Sequence, residues 1–188
     1  MDLSDPVEDL FERLRDVSQI LREKAEISLE TSLDDVHRKA LLLAAASYFE
    51  FKLTGDVQAF CDATVGIRSP ISGLVKVKAI TRQYHTWFDW DKSNANKFFS
   101  LFGPEFKKWM DIKLSSDDDL AKSIINFMSV GSDRNRLVHQ NFGIFTLEAS
   151  PNEIMDKYKS ARTFVEGFKD QLAEFAAEEP TFGTDVPT

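Results

Sequence analysis

The chain has 188 residues, 23 of them Lys or Arg and 31 Asp or Glu, for a formal net charge of −8. That length suits one domain, and 43% hydrophobic residues suffice for a core without cross-links. A lone cysteine, Cys61, excludes an internal disulfide framework and, with three histidines, leaves too few soft ligands for a Cys/His zinc site; the acidic balance excludes coating of nucleic acid through bulk charge, though not a local basic cleft.

Residues 5–27 read as a first helix. Asp5-Pro6 supplies a cap and a first-turn proline, and Val7, Leu10, Phe11, Leu14, Val17, Ile20 and Leu21 recur at helical spacing. A second helix is expected over 33–54, opened by a Ser32/Asp35 pair that resembles a capping box and stopped by Gly55, with 56–64 a short continuation. Ala40 to Phe51 is apolar almost all round, which makes this helix central. From Ala63 to Phe88 there is no acidic residue, while Arg68, Lys76, Lys78, Arg82 and His85 all occur. Pro70 and Gly73 make that stretch begin as a loop and turn helical near residue 74.

Short helices are expected over 97–102, closed by Gly103-Pro104, and over 105–112. Ser115 to Asp119 opens the next helix, with carboxylates where the helix dipole favours them. Leu120, Ile124, Phe127, Met128 and Val130 give it a buried face, and Asp133 to His139 is its tail. Gly143 punctuates, 144–147 is extended, and Ser150-Pro151 opens a last helix to about Ala177. Residues 179–188 hold two prolines and no periodicity, which predicts a disordered tail after one domain over 1–178. Strand signals are nearly absent, so the fold class is all-α, a helical bundle. No stretch approaches about 18 consecutive apolar residues, and the acidic N-terminus carries no signal core, which predicts a soluble cytoplasmic protein.

Three enzyme classes find no motif. The glycine clusters of phosphate-cradling loops, the Gly-x-Ser-x-Gly elbow and the HExxH zinc helix are all absent. Asp117-Asp118-Asp119 reads as a solvated helix start, because adjacent carboxylates point different ways. The richest constellation is Arg134-Asn135-Arg136-Leu137-Val138-His139-Gln140-Asn141-Phe142. Arginine binds phosphate bidentately and stabilises the charge of a phosphorane-like transition state. Histidine titrates near neutrality and can move the proton of a ribose 2′-OH or protonate a leaving 5′-oxygen. Five residues along a helix turn about 140°, so Arg134 and His139 meet only if Arg134 curls back, the helix loosens, or two copies face each other. The alternative is a polar surface at a helix end.

Arg134 to His139 resembles the motif of HEPN-superfamily ribonucleases: an arginine, a polar residue directly after it and a histidine a few residues on, late in an all-α bundle. His37 to Glu50 is similar to the early helix of RiboL-PSP-like HEPN proteins, in which an acidic residue follows an apolar run. Trp87-Phe88-Asp89-Trp90, Phe98 to Gly103 and the last helix are similar as well, so the resemblance covers roughly residues 30–175. It implies a HEPN-like bundle that dimerises through its motif helices. It also implies a metal-independent, cofactor-free endoribonuclease whose homodimer forms one composite cleft, in a toxin–antitoxin or phage-defence setting. RNA is then the substrate, and an antitoxin or sensor protein a further partner. A catalytically silent HEPN module that binds RNA or a protein is the alternative, and a helical interaction protein without a nucleic-acid role is a third reading.

Carried over from the resemblance, Arg134 stabilises phosphate, His139 handles the proton and Asn135 orients one of them. Glu50 is the acidic partner on the second helix, or an exposed residue after a buried run. Arg136, Lys76, Lys78 and Arg82 are the substrate-binding candidates, with Arg68 beside them in the acid-free stretch. Arg136 reads equally as a surface ion-pair residue, and the others as a solvated face. Tyr48 is a cleft hydrogen-bonder or core. Trp87 and Trp90 stack on bases or anchor their loop. His37 and His85 have no partner pattern and read as structural or surface residues.

Overall fold

The structure is a computed structural model, and it describes residues 5–178. The tail predicted over 179–188 lies outside the described residues. The fold is all-α, with no strand among the described residues. In order come α1 (Pro6–Glu23), α2 (Ile27–Val65), α3 (Pro70–Val75) continuing into a π-helical turn (Lys76–Ile80), α4 (Tyr84–Trp87), α5 (Asn96–Ser100), α6 (Pro104–Ser116), α7 (Asp118–His139) and α8 (Pro151–Ala177). Helices α2, α7 and α8 form the centre, α1 packs along α2, and α3 to α6 wrap one end.

The capping residues explain the ends that the sequence places well. Asp5 accepts the amides of Val7 and Glu8 at 2.8 and 3.3 Å, Asp117 accepts that of Leu120 at 2.8 Å, and Ser150 with Glu153 closes a capping box. The expected boundaries of α2 are overturned. Ser32 lies inside the helix and donates to the Ser28 carbonyl at 3.0 Å. Gly55 does not stop it, because buried Leu53, Asp56 and Val57 anchor both flanks and outweigh glycine's poor propensity, about 1 kcal/mol. The helix runs 39 residues and ends at Gly66, whose φ of +89° only glycine adopts readily. Ser69 caps α3, so the acid-free stretch turns helical at Pro70 rather than near 74. The helix expected over 105–112 extends to Ser116.

An aromatic core ties the layers together. Phe127 of α7 meets Phe49 of α2, Phe88 and Phe164 of α8 at centroid distances of 5.5, 4.9 and 5.2 Å. Phe98 links Phe88 to Phe168 at 4.7 Å on each side. A polar seam joins α1, α2 and α8. Tyr158 and Arg162 each donate to Asp5 at 2.8 Å, while Arg162 and Tyr48 donate to Glu166 at 2.7 and 2.6 Å. Tyr48 is therefore a seam residue, and the reading that put it in the cleft is corrected. The segment after α7 is strapped to α2: buried Lys39 bonds Asp35 at 2.7 Å and the Phe142 carbonyl at 2.9 Å, and Arg38 bonds the Leu147 and Glu148 carbonyls. His37 is buried near the Phe11 ring.

This seam makes stability depend on pH at both ends. Burial, and then the bond to Glu166, pushes the Tyr48 phenol up to about 12. Burial, and then Asp5, raises Tyr158; burial, and then Glu50, raises Tyr84. A raised phenol stabilises the fold fully below its ordinary value of 10.0, and that stability is lost as pH rises towards the folded value. The folded protein is therefore expected to show no tyrosinate absorbance step at pH 10, although it has three tyrosines, and its melting temperature should fall above that pH. A normal step near pH 10 in the folded protein would contradict this. Burial works to raise Glu166, but its bonds from Arg162 and Tyr48 hold it below the ordinary 4.5. Its contribution is present above that value and lost as pH falls through the lower folded one, so Glu166→Gln should flatten the acid limb of a melting-temperature profile.

Candidate functional site

A cavity of about 480 Å³ opens between α2, α4 and α7. Its walls include Glu50 from α2, Tyr84 and His85 from α4, Trp90, and Arg134, Asn135 and His139 from α7. The four residues given catalytic roles from the sequence, Arg134, Asn135, His139 and Glu50, thus line one space in one chain. Helix α7 stays regular to His139, so the helix has not loosened. The cavity takes in a broad arc of α7, with Gly131, Asn135 and Val138 along its middle and Arg134 and His139 on its flanks. Neither a bent helix nor a second copy is required to bring the motif to one cavity.

Arg134 is half-buried and donates to Asn135 Oδ1 at 3.2 Å. Among the described residues no carboxylate pairs with its guanidinium. Asn135 stands one turn before His139, on the same side. Glu50 is exposed at the rim, and its charge acts on the buried Tyr84 phenol, raising it after burial has done so first; Arg134 opposes that effect. Tyr84 is thus a neutral hydroxyl throughout the physiological range. Among the described residues no three His, Cys, Asp or Glu side chains gather into a set able to hold a metal ion. Asp117 caps α7, and Asp118 and Asp119 are exposed at its start.

The substrate-binding candidates are dispersed. Arg136 points away from the cavity, pairs with Asp133 at 3.4 Å and lies 5.5 Å from the Phe145 ring centroid. Lys78 lines a separate, mainly apolar groove with Phe60, Val75 and Leu101. Lys76, Arg82 and Arg68 are exposed, and none of them lines the 480 Å³ cavity. Among the described residues none of these four cations of the acid-free stretch forms an ion pair. Trp87 is a buried anchor whose Nε1 donates to the Ala79 carbonyl at 2.8 Å. Trp90 is both anchor and wall.

Sequence reasoning assigned Tyr84 and His85 no place in the site. The signal was there in the acid-free stretch, but nothing in spacing connects residue 85 to residue 139. The connection is steric. The Trp90 ring lies on Gly131, where an added Cβ would sit 1.9 Å from its Cζ3, and Trp90 Nε1 donates to the His85 carbonyl at 3.1 Å. Gly131→Ala should therefore displace Trp90, at a cost of about 1–3 kcal/mol for overpacking. Thermal melting of Gly131→Ala, Trp90→Leu and the double variant tests this contact. The double variant should be less destabilised than the sum of the two, whereas strict additivity would show that the contact carries no energy.

No curated protein and no solved structure matches the chain. A family model described as RiboL-PSP-HEPN matches residues 8–174, which take in α2, α7, most of α8 and every wall of the cavity. The chain belongs to the RiboL-PSP-HEPN family.

Proposed function

We infer from membership of this family a role in cleaving or binding RNA. We propose that the protein is a metal-independent endoribonuclease that cuts RNA by attack of the ribose 2′-OH on the adjacent phosphorus. The observation that carries this reading is Arg134. In a chain of net charge −8, a half-buried guanidinium with no carboxylate partner among the described residues faces the same cavity as His139. Such a cation is poised for an external anion, and a phosphodiester fits its donor fork. Arg134 holds the non-bridging oxygens and stabilises the charge that builds on them. His139 transfers a proton, Asn135 orients the guanidinium that it already bonds, and Glu50 sets the charge at the rim.

The functional unit in this reading is a homodimer whose motif helices face each other. Exposed Val138, Phe142 and Ile144 support it, since they put apolar surface beside His139 that a second copy would cover. The reading further places the protein in the cytoplasm, within a toxin–antitoxin or phage-defence system, with an antitoxin or sensor protein as restraint. No helix among the described residues is long and apolar enough to cross a membrane.

Purified protein should cut single-stranded RNA in excess EDTA and leave a 2′,3′-cyclic phosphate or its opened product. His139→Ala and Arg134→Ala should each lower the rate by about 10²-fold or more, with melting temperature and oligomeric state unchanged. Cutting that survives both substitutions, or that EDTA abolishes, would overturn the assignment. RNA that binds without being cut would favour a silent module.

A further inference from the structure

The cavity contains a second imidazole that the motif does not supply. His85 lines it together with His139, and among the described residues neither ring has a hydrogen-bond partner. We propose that His85 is a second catalytic residue, which shares the two proton transfers of RNA cleavage with His139 of the same chain. The proposal rests on the ribonuclease reading above and adds to it the residue that completes the acid–base pair.

The reaction moves two protons at two places. A lone pair of the 2′-oxygen forms the new P–O bond as its proton passes to a neutral imidazole. The P–O5′ bond breaks, its electron pair leaves with the 5′-oxygen, and that oxygen takes a proton from an imidazolium. The products are a 2′,3′-cyclic phosphate and a 5′-hydroxyl, and no oxidant or reductant is consumed. The two imidazoles end with their protonation states exchanged, and solvent restores them. In an in-line displacement the entering and departing oxygens lie on opposite sides of phosphorus, so a proton acceptor and a proton donor are needed at two positions, and two imidazoles in one cavity can divide those tasks.

The packing brings His85 of α4 to the cavity that His139 of α7 also lines. The His85 carbonyl accepts from Trp90, and the Trp90 ring rests on Gly131, one turn ahead of Arg134 and Asn135 on α7. The backbone of His85 is thereby tied to the helix that carries Arg134 and His139. The charged and titratable groups that line the cavity with His85 are Glu50 from α2, Arg134 and His139 from α7, and the neutral Tyr84 phenol of its own helix. Glu50 and Arg134 carry opposite charges. No carboxylate from residues 63–88 competes for the ring, because that stretch has none.

The test is the pH–rate profile for single-stranded RNA in EDTA, measured on wild type, His85→Asn and His139→Asn. Wild type should give a bell. Each variant should lose about 10²–10⁴-fold in rate, and each should lose one limb, the two limbs being opposite. His85 is exposed, so melting temperature should not change with His85→Asn. A wild-type rate in His85→Asn, a lowered rate with both limbs kept, or loss of the same limb in both variants overturns the proposal. If His139→Asn also cuts like wild type, the ribonuclease reading itself fails and the pairing falls with it; if only His85→Asn does, the pairing alone fails. Mixing the two variants under subunit exchange should restore nothing, since no chain then keeps both rings. Recovery towards about a quarter of wild-type activity, the fraction expected when exchanged dimers complete sites across two chains, overturns the same-chain pairing.

Discussion

The six-membered ring of Trp90 lies against the α-carbon of Gly131 so closely that no side chain fits between them. Helix α7 is bare at that point, and the bareness lets the 84–90 segment fold down onto it. Phe88 and Trp90 then reach Phe127 at 4.9 and 5.9 Å, joining the aromatic core that also holds α2 and α8. The same contact sets the cavity. Together with the Phe88–Phe127 contact it fixes Tyr84 and His85 relative to Arg134, since the chain between them passes through α5 and α6 before it returns in α7. A packing constraint of one missing methyl group thus determines which polar side chains share a site.

Polar contacts hold the other walls. Lys39 is almost fully buried, a costly place for an ammonium, and it is satisfied by Asp35 and by the Phe142 carbonyl just beyond α7. That bond, with those of Arg38, fixes the chain immediately after His139 to the helix that bears Glu50. The end of α7, where a helix would ordinarily fray, is clamped within reach of α2. Seam and strap both join α2 to elements distant in sequence, and the strap ties the segment after α7 directly to α2.

How much of this was legible follows from the range of each signal. Caps are local, and Asp5, Asp117 and Ser150 mark true starts because one side chain bonds an amide two or three residues on. Where tertiary burial competes with a local signal, the local signal loses. Gly55 looks like a stop, and Leu53 and Val57 carry the helix through it. Ser32 looks like a cap, yet the helix has already begun at Ile27. The Arg134-to-His139 cluster was legible as a group of residues that the structure brings to one cavity, and the family resemblance supplied Glu50 across the bundle. His85 was not legible, because its link to the motif runs through a ring resting on a glycine. The dispersal of the basic candidates was hidden for the same reason, as short helices at odd angles send neighbours such as Lys78 and His85 to different grooves.

Net charge is a poor guide to whether an acidic chain can act on RNA, and the distribution of ion pairs shows why. At physiological ionic strength fields are screened over about 8 Å, so distant carboxylates contribute little at the cavity. Contact matters more. Arg22, Arg38, Lys39 and Arg162 are each engaged by carboxylates and offer little to an incoming anion. Arg134 makes its one side-chain hydrogen bond among the described residues to the neutral Asn135, and it lines the cavity. Arg68, Lys76, Lys78 and Arg82 are likewise without ion pairs among the described residues, but none of them lines the cavity; in the ribonuclease reading proposed above, Arg134 beside two unpartnered imidazoles makes the cavity the place where charge and proton transfer would meet a phosphodiester.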